Sequence, residues 1–307
     1  MSNLEGLQFF ADPTLDDIIT KNTVEFIKYG LLEVGAYINV ATGTNNYLGQ
    51  DRSRLYPVNV VGASGNSIWG TAKSDIIYEN DITLKFTGGA KPTVPTRIYH
   101  NGTSVPTGTS VSGNPYYIDF ARGHVVFNES IPSTTVLQMP HALRAVHVYG
   151  PQSNEFRELT NDWERLSPSG IETYNQKNYL PSITVEVKNW KTLKGLELGS
   201  RGKVTLAQLE FNIYANNQWE LNKLVDMCYM LETKVMRLYN VKTATPALNY
   251  KGQLVNPDVN WLYLINNFPY GEGRFREDFV VTKMTNPSLP FLKARARISL
   301  EFDSYPS

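Results

Sequence analysis

The residue types that most often do chemistry in proteins are sparse in this chain, and their spacing matches no common catalytic motif. The four histidines form neither HExxH nor HxH, and the phosphate-binding patterns GxGxxG and GxxxxGK[ST] and the nucleophile pattern GxSxG do not occur. Zinc sites usually combine histidine with cysteine or carboxylate at short, regular spacings, which these histidines lack. The sequence therefore predicts no metal, no cofactor and no enzymatic activity, and it predicts ordinary surface or turn histidines at His100, His124, His141 and His147.

A pair of carboxylates is the one enzymatic arrangement that these patterns leave open, because the two acids of a glycosidase can lie far apart in sequence. Asp119 and Glu129 flank a predicted hairpin and form the first pair to test. Charged side chains are mostly exposed in folded proteins, so we interpret both acids as solvated charges at the rim of the hairpin. A hydrolase of cell-wall sugars stays open as an alternative that depends on this pair.

Positive charge is concentrated in one segment between two predicted strands. Five basic residues are opposed there only by Glu197, so the local charge is +4, and the segment also contains three glycines. We expect this segment to be a protruding loop or a long hairpin. It either contacts a phosphate backbone, contacts an acidic patch such as segment 152–172, or is simply solvated. The five basic residues are Lys188, Lys191, Lys194, Arg201 and Lys203.

The last predicted strand carries two further basic residues on its polar face. Arg295 and Arg297 alternate with the apolar residues Ala294, Ala296 and Ile298. Such arginines either line a channel or keep an edge strand soluble. Together with the five basic residues above, they are our candidates for DNA-channel or inter-subunit contacts.

The composition indicates a folded chain without an overall electrostatic preference for a partner. The 307 residues are 41% hydrophobic and 19% charged, which is typical of globular proteins, and a length prior of about 150 residues per domain suggests two domains. Basic and acidic residues both number 29, so no net charge attracts nucleic acid or a membrane. The single cysteine, Cys228, excludes an intrachain disulfide and fits a reducing cytosol. Neither a signal peptide nor a stretch of ~20 apolar residues is present, so we expect a soluble protein.

Two segments have the apolar periodicity of helices. Thr14, followed three residues later by Asp17, predicts a capped start for the first, and Asn217 with Glu220 predicts one for the second. In the second segment, 217–239, the apolar stripe holds for five turns and includes Cys228, which we therefore expect to be buried and unreactive.

Strands with alternating apolar residues are predicted over 183–187, 209–215 and 294–302, with a bulge or bend between Leu206 and Leu209. Residues 1–40 and 151–307 are therefore predicted to form an α+β domain, in which two helices cover an antiparallel sheet.

Residues 41–150 have a different character. Gly, Pro, Ser, Thr and Asn separate short β-type runs, and no helical period appears. The clearest feature is a hairpin over 116–127 whose turn contains Gly123. We predict an inserted all-β domain, either a sandwich or barrel-like.

Two patterns resemble a known family. The run YIDFARGHVVF from Tyr117 to Phe127, followed by Ile131-Pro132 and a strand to Tyr149, resembles modules of tailed-phage virion proteins with the pattern V-D-x-x-x-G-x-V-x-F. The order of strand 209–215, helix 217–239 and strand 294–302, together with the first helix, is similar to the tail-terminator and tail-completion family of tailed bacteriophages. The inserted β region and segment 242–290 depart from the compact members of that family, and a neck or collar protein built on the same core would fit as well.

The resemblance implies a non-enzymatic virion protein at the head–tail junction, assembled in the host cytoplasm. Members of the family form a ring, usually sixfold, that caps the tail tube and meets the connector, so the implied partners are copies of the chain, other neck, connector and tail-tube proteins, and packaged DNA contacted without sequence specificity. The alternative is a capsid- or fibre-associated β-rich module that binds host glycans or decorates the particle, and it is suggested by the Gly/Thr/Ser-rich segment 87–114.

Overall fold

The chain is mixed α+β and mostly β, with curled sheets. The computed structural model describes residues 14–43, 51–58, 67–71, 75–80, 82–111, 113–132, 134–153, 156, 180–195, 203–284 and 291–304. In this part of the chain, no helix is both long enough and apolar enough to cross a membrane. The helices described over their full length are α1 (Leu15–Glu33), α2 (Gln218–Tyr229) and α3 (Trp261–Asn267).

Within the described residues, the largest sheet has seven strands. Six follow the order β11-β12-β13-β17-β15-β14, and β16 pairs with β17 on the same side as β15. Strands β11 and β12 are parallel, and the other pairs are antiparallel. These strands are β11 (His147–Tyr149), β12 (Ser182–Gly195), β13 (Lys203–Ala215), β14 (Val235–Tyr239), β15 (Pro269–Phe275), β16 (Val280–Met284) and β17 (Leu292–Ser304).

Side chains from α1 and α2 share one buried cluster with one face of this sheet. Ile19 of α1 and Leu224 of α2 belong to the same cluster as Phe211 and Leu300, which point from neighbouring strands. Alternate residues of a strand face opposite sides of the sheet, so this apolar face leaves a polar face behind it. The alternation predicted for the three long strands is confirmed.

Helix α1 begins where its sequence predicts. The backbone N–H of Asp17 donates to Thr14 Oγ1 at 3.2 Å, and the backbone N–H of Thr14 donates to Asp17 Oδ2 at 2.9 Å. These reciprocal bonds satisfy N–H groups that have no partner inside the helix.

The prediction for the second helix is right for its start and wrong for its end. Asn217 caps α2 by accepting from the backbone N–H of Glu220 at 2.9 Å, but the helix stops at Tyr229. Thr233 then takes a positive φ of 64°, and the chain continues as β14, in which Met236 and Leu238 are buried. The predicted helical stripe used Val235 and Leu238, whereas the strand buries Met236 and Leu238 and leaves Val235 exposed, and pairing with β15 selects the strand.

The predicted bulge lies on the neighbouring strand. Strand β13 pairs with β17 without a register shift from Lys203 to Ala215, whereas β12 shifts between Val187 and Asn189, opposite Leu209 and Gln208. The bulged residue is Lys188. The prediction of a bulge within β13 was therefore wrong, because an irregularity between two strands can be absorbed by either one.

The region before β11 is built from small antiparallel sheets. Their strands are β1 (Tyr37–Val40), β2 (Tyr56–Pro57), β3 (Ser67–Gly70), β4 (Arg97–His100), β5 (Thr103–Pro106), β6 (Ser110–Val111), β7 (Asn114–Asp119), β8 (His124–Phe127), β9 (Leu137–Gln138) and β10 (His141–Arg144). They are ordered β1-β10, β2-β3-β8-β7-β6 and β5-β4-β9. The predicted hairpin is confirmed as β7 and β8, with Gly123 at φ 68° in its turn.

This region has a hydrophobic cluster of its own, centred on residues such as Trp69 and Phe127. Leu248 and Leu254 pack against that cluster from the C-terminal half of the chain. The domain boundaries predicted at 40 and 150 stay a prediction.

Candidate functional site: a charged cluster on the polar face of the sheet

The strand register places charged residues of three strands side by side. Glu210 of β13 pairs with Arg297 of β17 and with Glu186 of β12, and the next β13–β17 pair on the same face is Asn212 with Arg295. All of these residues face away from the helices, because they alternate with the buried apolar residues of the same strands. Arg295 and Arg297 therefore lie on the polar face that the sequence predicted, and they lie beside Glu210, which the sequence analysis did not identify.

Glu210 is the centre of this cluster and is only 1% exposed. Both Nε and Nη2 of Arg297 lie 2.8 Å from Glu210 Oε2, and Arg295 Nε lies 3.3 Å from Oε1. Lys188 Nζ lies 3.6 Å from the same Oε1 and 2.6 Å from Oε1 of Glu186. The bulge in β12 therefore adds a third cation to a buried carboxylate.

The surrounding cations keep Glu210 ionised. Burial alone would raise the pKa of its carboxyl, but the hydrogen bond from Arg297 and the charges of Lys188 and Arg295 lower that pKa below its ordinary value. Three cations against the carboxylates of Glu186 and Glu210 leave a net charge of +1. The side chains of Arg295 and Arg297 are 38% and 47% exposed, so the cluster presents two oriented guanidinium groups at the surface.

The structure brings together three of the seven candidate residues, which are Lys188, Arg295 and Arg297. Lys191 and Lys194 lie further along β12, and Lys203 opens β13 opposite Gly195, so the basic segment is the end of a long hairpin. The side chains of these three lysines lie outside the part of the molecule that is described. Arg201 lies outside it entirely, as does most of the acidic segment 152–172.

A second charged network was missed by the sequence analysis. Arg144 at the end of β10 is 4% exposed; its Nη2 bonds to Glu79 Oε1, and its Nε lies 3.5 Å from Asp75 Oδ1. The other oxygen of Asp75 lies 3.1 Å from His147 Nδ1 at the start of β11. Burial would lower the pKa of Arg144, but the charges of Glu79 and Asp75 raise it, so the guanidinium stays charged.

The prediction of surface histidines is wrong for His141 and His147, which are 1% and 3% exposed. Burial lowers the pKa of His141, whose Nδ1 lies 2.7 Å from the Met139 carbonyl. Glu79 precedes Arg144 by 65 residues, and Asp75 precedes His147 by 72 residues, so no local sequence pattern could have predicted these pairs.

The two carboxylates considered for glycoside hydrolysis occupy different environments. Asp119 is 3% exposed, accepts from the backbone N–H of Arg122 at 3.1 Å and pairs with its Nη1 at 3.0 Å. It therefore fastens the β7–β8 turn, and its interpretation as a solvated charge was wrong. Glu129 is exposed, as expected.

Cys228 is buried in the sheet–helix cluster, as predicted, and burial raises the pKa of its thiol to about 12. Among the residues that the structure describes, no group of three or more His, Cys, Asp or Glu side chains is placed to hold a metal ion. The chain matches no model of a known protein family, and a search of curated proteins finds no significantly similar relative.

Proposed function

We propose that this chain is a non-enzymatic structural protein of a tailed-bacteriophage virion, which forms an oligomeric ring at the head–tail junction. The proposal starts from the resemblance of the β7–β8 run and of the C-terminal elements to tail-completion proteins. In this role the protein functions through the shape of its assembly and not through catalysis. It caps or joins the tail tube to the connector, and copies of the chain, together with other neck proteins, are its partners.

The observation that carries the proposal is that the large sheet has open edges at both ends. Strand β11 pairs with β12 only as far as Thr184, so among the described strands nothing pairs with that side of β12 from Val185 to Gly195. At the other end, β14 and β16 each have one paired side in the described part of the chain. Two different edges on one subunit favour head-to-tail contacts, which close into a ring when the rotation permits.

Exposed apolar side chains near α2 support an assembly role. Trp219, in the first turn of α2, and Met230, the residue that follows its end, are 69% and 66% exposed. Val235 at the start of the end strand β14 is 54% exposed. Large apolar and aromatic residues are enriched in subunit interfaces.

The finer architecture fits the same proposal. The helices α1 and α2 would cover the ring-forming sheet as one domain from 1–40 and 151–307. The region 41–150, apart from β11, which belongs to the large sheet, would project outward as an inserted β domain towards head, collar or fibre proteins. The hydrophobic cluster around Trp69 and Phe127, whose buried members all lie between Leu55 and Met139, supports this division. The exposed guanidinium groups of Arg295 and Arg297 would face packaged DNA or a neighbouring subunit.

The test is direct observation of assembly. We expect the purified chain to form closed rings of uniform size in negative-stain electron microscopy, and mass photometry to give one dominant oligomer. Isolated tail tubes should carry such a ring at one end after mixing. A protein that stays monomeric across micromolar concentrations, both alone and with tail tubes, would overturn the proposal.

A further inference from the structure

Strand β16 lies at the boundary of the large sheet, and one of its two sides is unpaired among the described strands. It pairs with β17 without a register shift, from Val280 opposite Arg297 to Met284 opposite Lys293. Strand β15 pairs with the same side of β17 further along, and β14 pairs with β15 only. The outer side of β16 is therefore an open sheet edge within the described part of the chain.

The hydrogen bonds of β17 show which backbone groups of β16 point outward. The Ser299 carbonyl accepts from the backbone N–H of Arg276 at 2.9 Å, so Ser299 directs its backbone groups to the side of β17 where β15 and β16 lie. Backbone groups alternate sides along a strand, so the residue of β17 opposite Thr282 points to β16 as well. Thr282 therefore bonds to β17, and its neighbours Val281 and Lys283 direct their N–H and C=O groups outward.

One outward group at this edge is already bound. The backbone N–H of Phe279, two residues before Val281, donates to Glu232 Oε1 at 2.9 Å. Glu232 lies in the turn between α2 and β14, so its carboxylate covers only the start of the edge. No described strand pairs with the outward groups of Val281 and Lys283, and an added strand is the partner that such groups accept.

The exposed side chains of β16 form a pattern that is complementary to itself. Val281 packs against the cluster between sheet and helices, so Val280, Thr282 and Met284 lie on the opposite, polar face. All three are exposed, Val280 by 61% and Met284 by 40%. The two apolar residues lie two positions before and two positions after Thr282, so in an antiparallel pair centred on Thr282 each lies opposite the other.

We propose that β16 pairs antiparallel with β16 of a second copy of this chain, about a twofold axis beside Thr282. In this register Val281 lies opposite the partner's Lys283, and because both direct their backbone groups across the contact, each such pair exchanges two hydrogen bonds. Val280 lies opposite the partner's Met284 in a non-hydrogen-bonded pair, where side chains approach most closely. The two sheets then form one continuous sheet.

The charges near this edge permit the contact. A lysine on an edge strand commonly prevents pairing, but Lys283 Nζ donates to Asn222 Oδ1 of α2 at 2.8 Å, and in this register Lys283 lies opposite a valine. The cations of β17 lie three strand spacings from those of the second copy, or roughly 14 Å, which exceeds a Debye length of ~8 Å. The contact is isologous and goes beyond the proposed ring, whose head-to-tail contacts would use the other edges of the sheet.

A cysteine at the twofold axis tests the register. Thr282→Cys places two thiols in a non-hydrogen-bonded pair with Cα atoms about 4.5 Å apart, which a disulfide can span. The natural Cys228 is buried and the pKa of its thiol is raised to about 12, so it does not compete. After mild oxidation of the full chain, we expect covalent dimers of Thr282→Cys on a non-reducing denaturing gel. Lys283→Cys on the same strand should give on the order of tenfold less, because it lies opposite Val281 and not opposite itself.

Two further experiments use the same gel. Val280→Cys and Met284→Cys should each remain monomeric alone and form a mixed dimer when combined. Lys283→Pro, introduced into the Thr282→Cys chain, removes an outward N–H that takes no part in the pairing with β17, so the fold should persist by circular dichroism. It should lower cross-linking on the order of tenfold, since the loss occurs twice in a symmetric contact. Lys283→Ala keeps the N–H and should leave cross-linking unchanged.

The outcomes separate this contact from the proposed ring. If Thr282→Cys does not cross-link, or if Lys283→Cys cross-links equally well, the inference is wrong, whether or not the wild type forms rings in the electron microscope. A chain that forms no ring but cross-links through position 282, with the expected response to Lys283→Pro, would overturn the ring proposal and support the twofold contact.

Discussion

Replacing Glu210 by glutamine tests whether the polar face of the sheet is organised around one buried charge. The side chain keeps its size and one carbonyl oxygen, so packing is nearly unchanged. What it loses is the negative charge within 3.6 Å of nitrogens from Lys188, Arg295 and Arg297. In the variant, these three cations face one another with only Glu186 as a nearby carboxylate.

The expected loss of stability is about 2 kcal/mol. Removing one member of a fully buried ion pair typically costs about 3–5 kcal/mol, but the arginines here are 38% and 47% exposed and water can solvate them in the variant. A hydrogen bond to a charged group contributes about 1.5–3 kcal/mol, which agrees with the discounted value. At ~2.1 cal/mol/K per residue, a chain of 307 residues has an unfolding entropy near 0.64 kcal/mol/K, so the melting temperature should fall by about 3 °C.

Calorimetry of the wild type and of Glu210→Gln at several pH values provides the measurement. The pKa of Glu210 is lower in the folded chain than its ordinary value of 4.5, so its stabilisation is complete above that pH and is lost as the pH falls through the folded pKa. The gap between the two proteins should therefore be constant from pH 7 to 5 and close in more acidic solution. The control is Glu272→Gln, whose partner Arg237 lies at 3.4 Å with both side chains largely exposed, and it should cost less than about 0.5 kcal/mol. Equal losses in the two variants, or a gap that does not change with pH, would refute the reasoning.

Two further substitutions, each with a control, test which contacts stabilise the β-rich region. Gly252→Ala should destabilise the chain by about 2–4 kcal/mol in urea unfolding, because its φ is +74° and a Cβ would lie 2.0 Å from Asp119 Oδ1. Gly108→Ala, with a φ of +82° and open space around it, should cost only about 1–2 kcal/mol, and equal costs would contradict the predicted clash. Arg144→Met should cost about 3–5 kcal/mol by leaving two carboxylates without their buried cation. Arg276→Met, which breaks an exposed 3.1 Å pair, should cost less than about 1 kcal/mol, and a similar value for Arg144→Met would show that its network contributes little.

Local patterns in the sequence predicted those parts of the fold that depend on neighbouring residues. The cap of α1 at Thr14, the turn at Gly123 and the alternation of the three long strands each involve residues a few positions apart. The predicted end of the second helix was wrong because Leu238 fits both periods, a helical one with Val235 and a strand one with Met236, and only pairing with β15 distinguishes them.

The charged clusters could be predicted only in part, because their members come together through strand register. The alternation of Arg295 and Arg297 was visible, but Glu210 is 85 residues from the first and 87 from the second, and a single acid on a strand carries no signal of its own. No sequence pattern identified the network of Arg144, because its carboxylate partners Asp75 and Glu79 both lie in an irregular segment that precedes it. Register between strands is decided by the whole core, so a residue count along one strand does not reveal it.

The seven basic candidates fall into two groups that differ in how much positive charge remains for contact with a partner. Lys188, Arg295 and Arg297 share one buried carboxylate, so much of their charge is already neutralised and only a net +1 remains for a phosphate backbone. Lys191, Lys194, Arg201 and Lys203 belong to segment 191–203, in which Glu197 is the only acidic residue. The charge of this segment is therefore +3 by residue count. Within the proposed ring, this segment is therefore the stronger candidate for contact with a phosphate backbone or an acidic patch, and the partly exposed guanidinium groups of β17 are the weaker one.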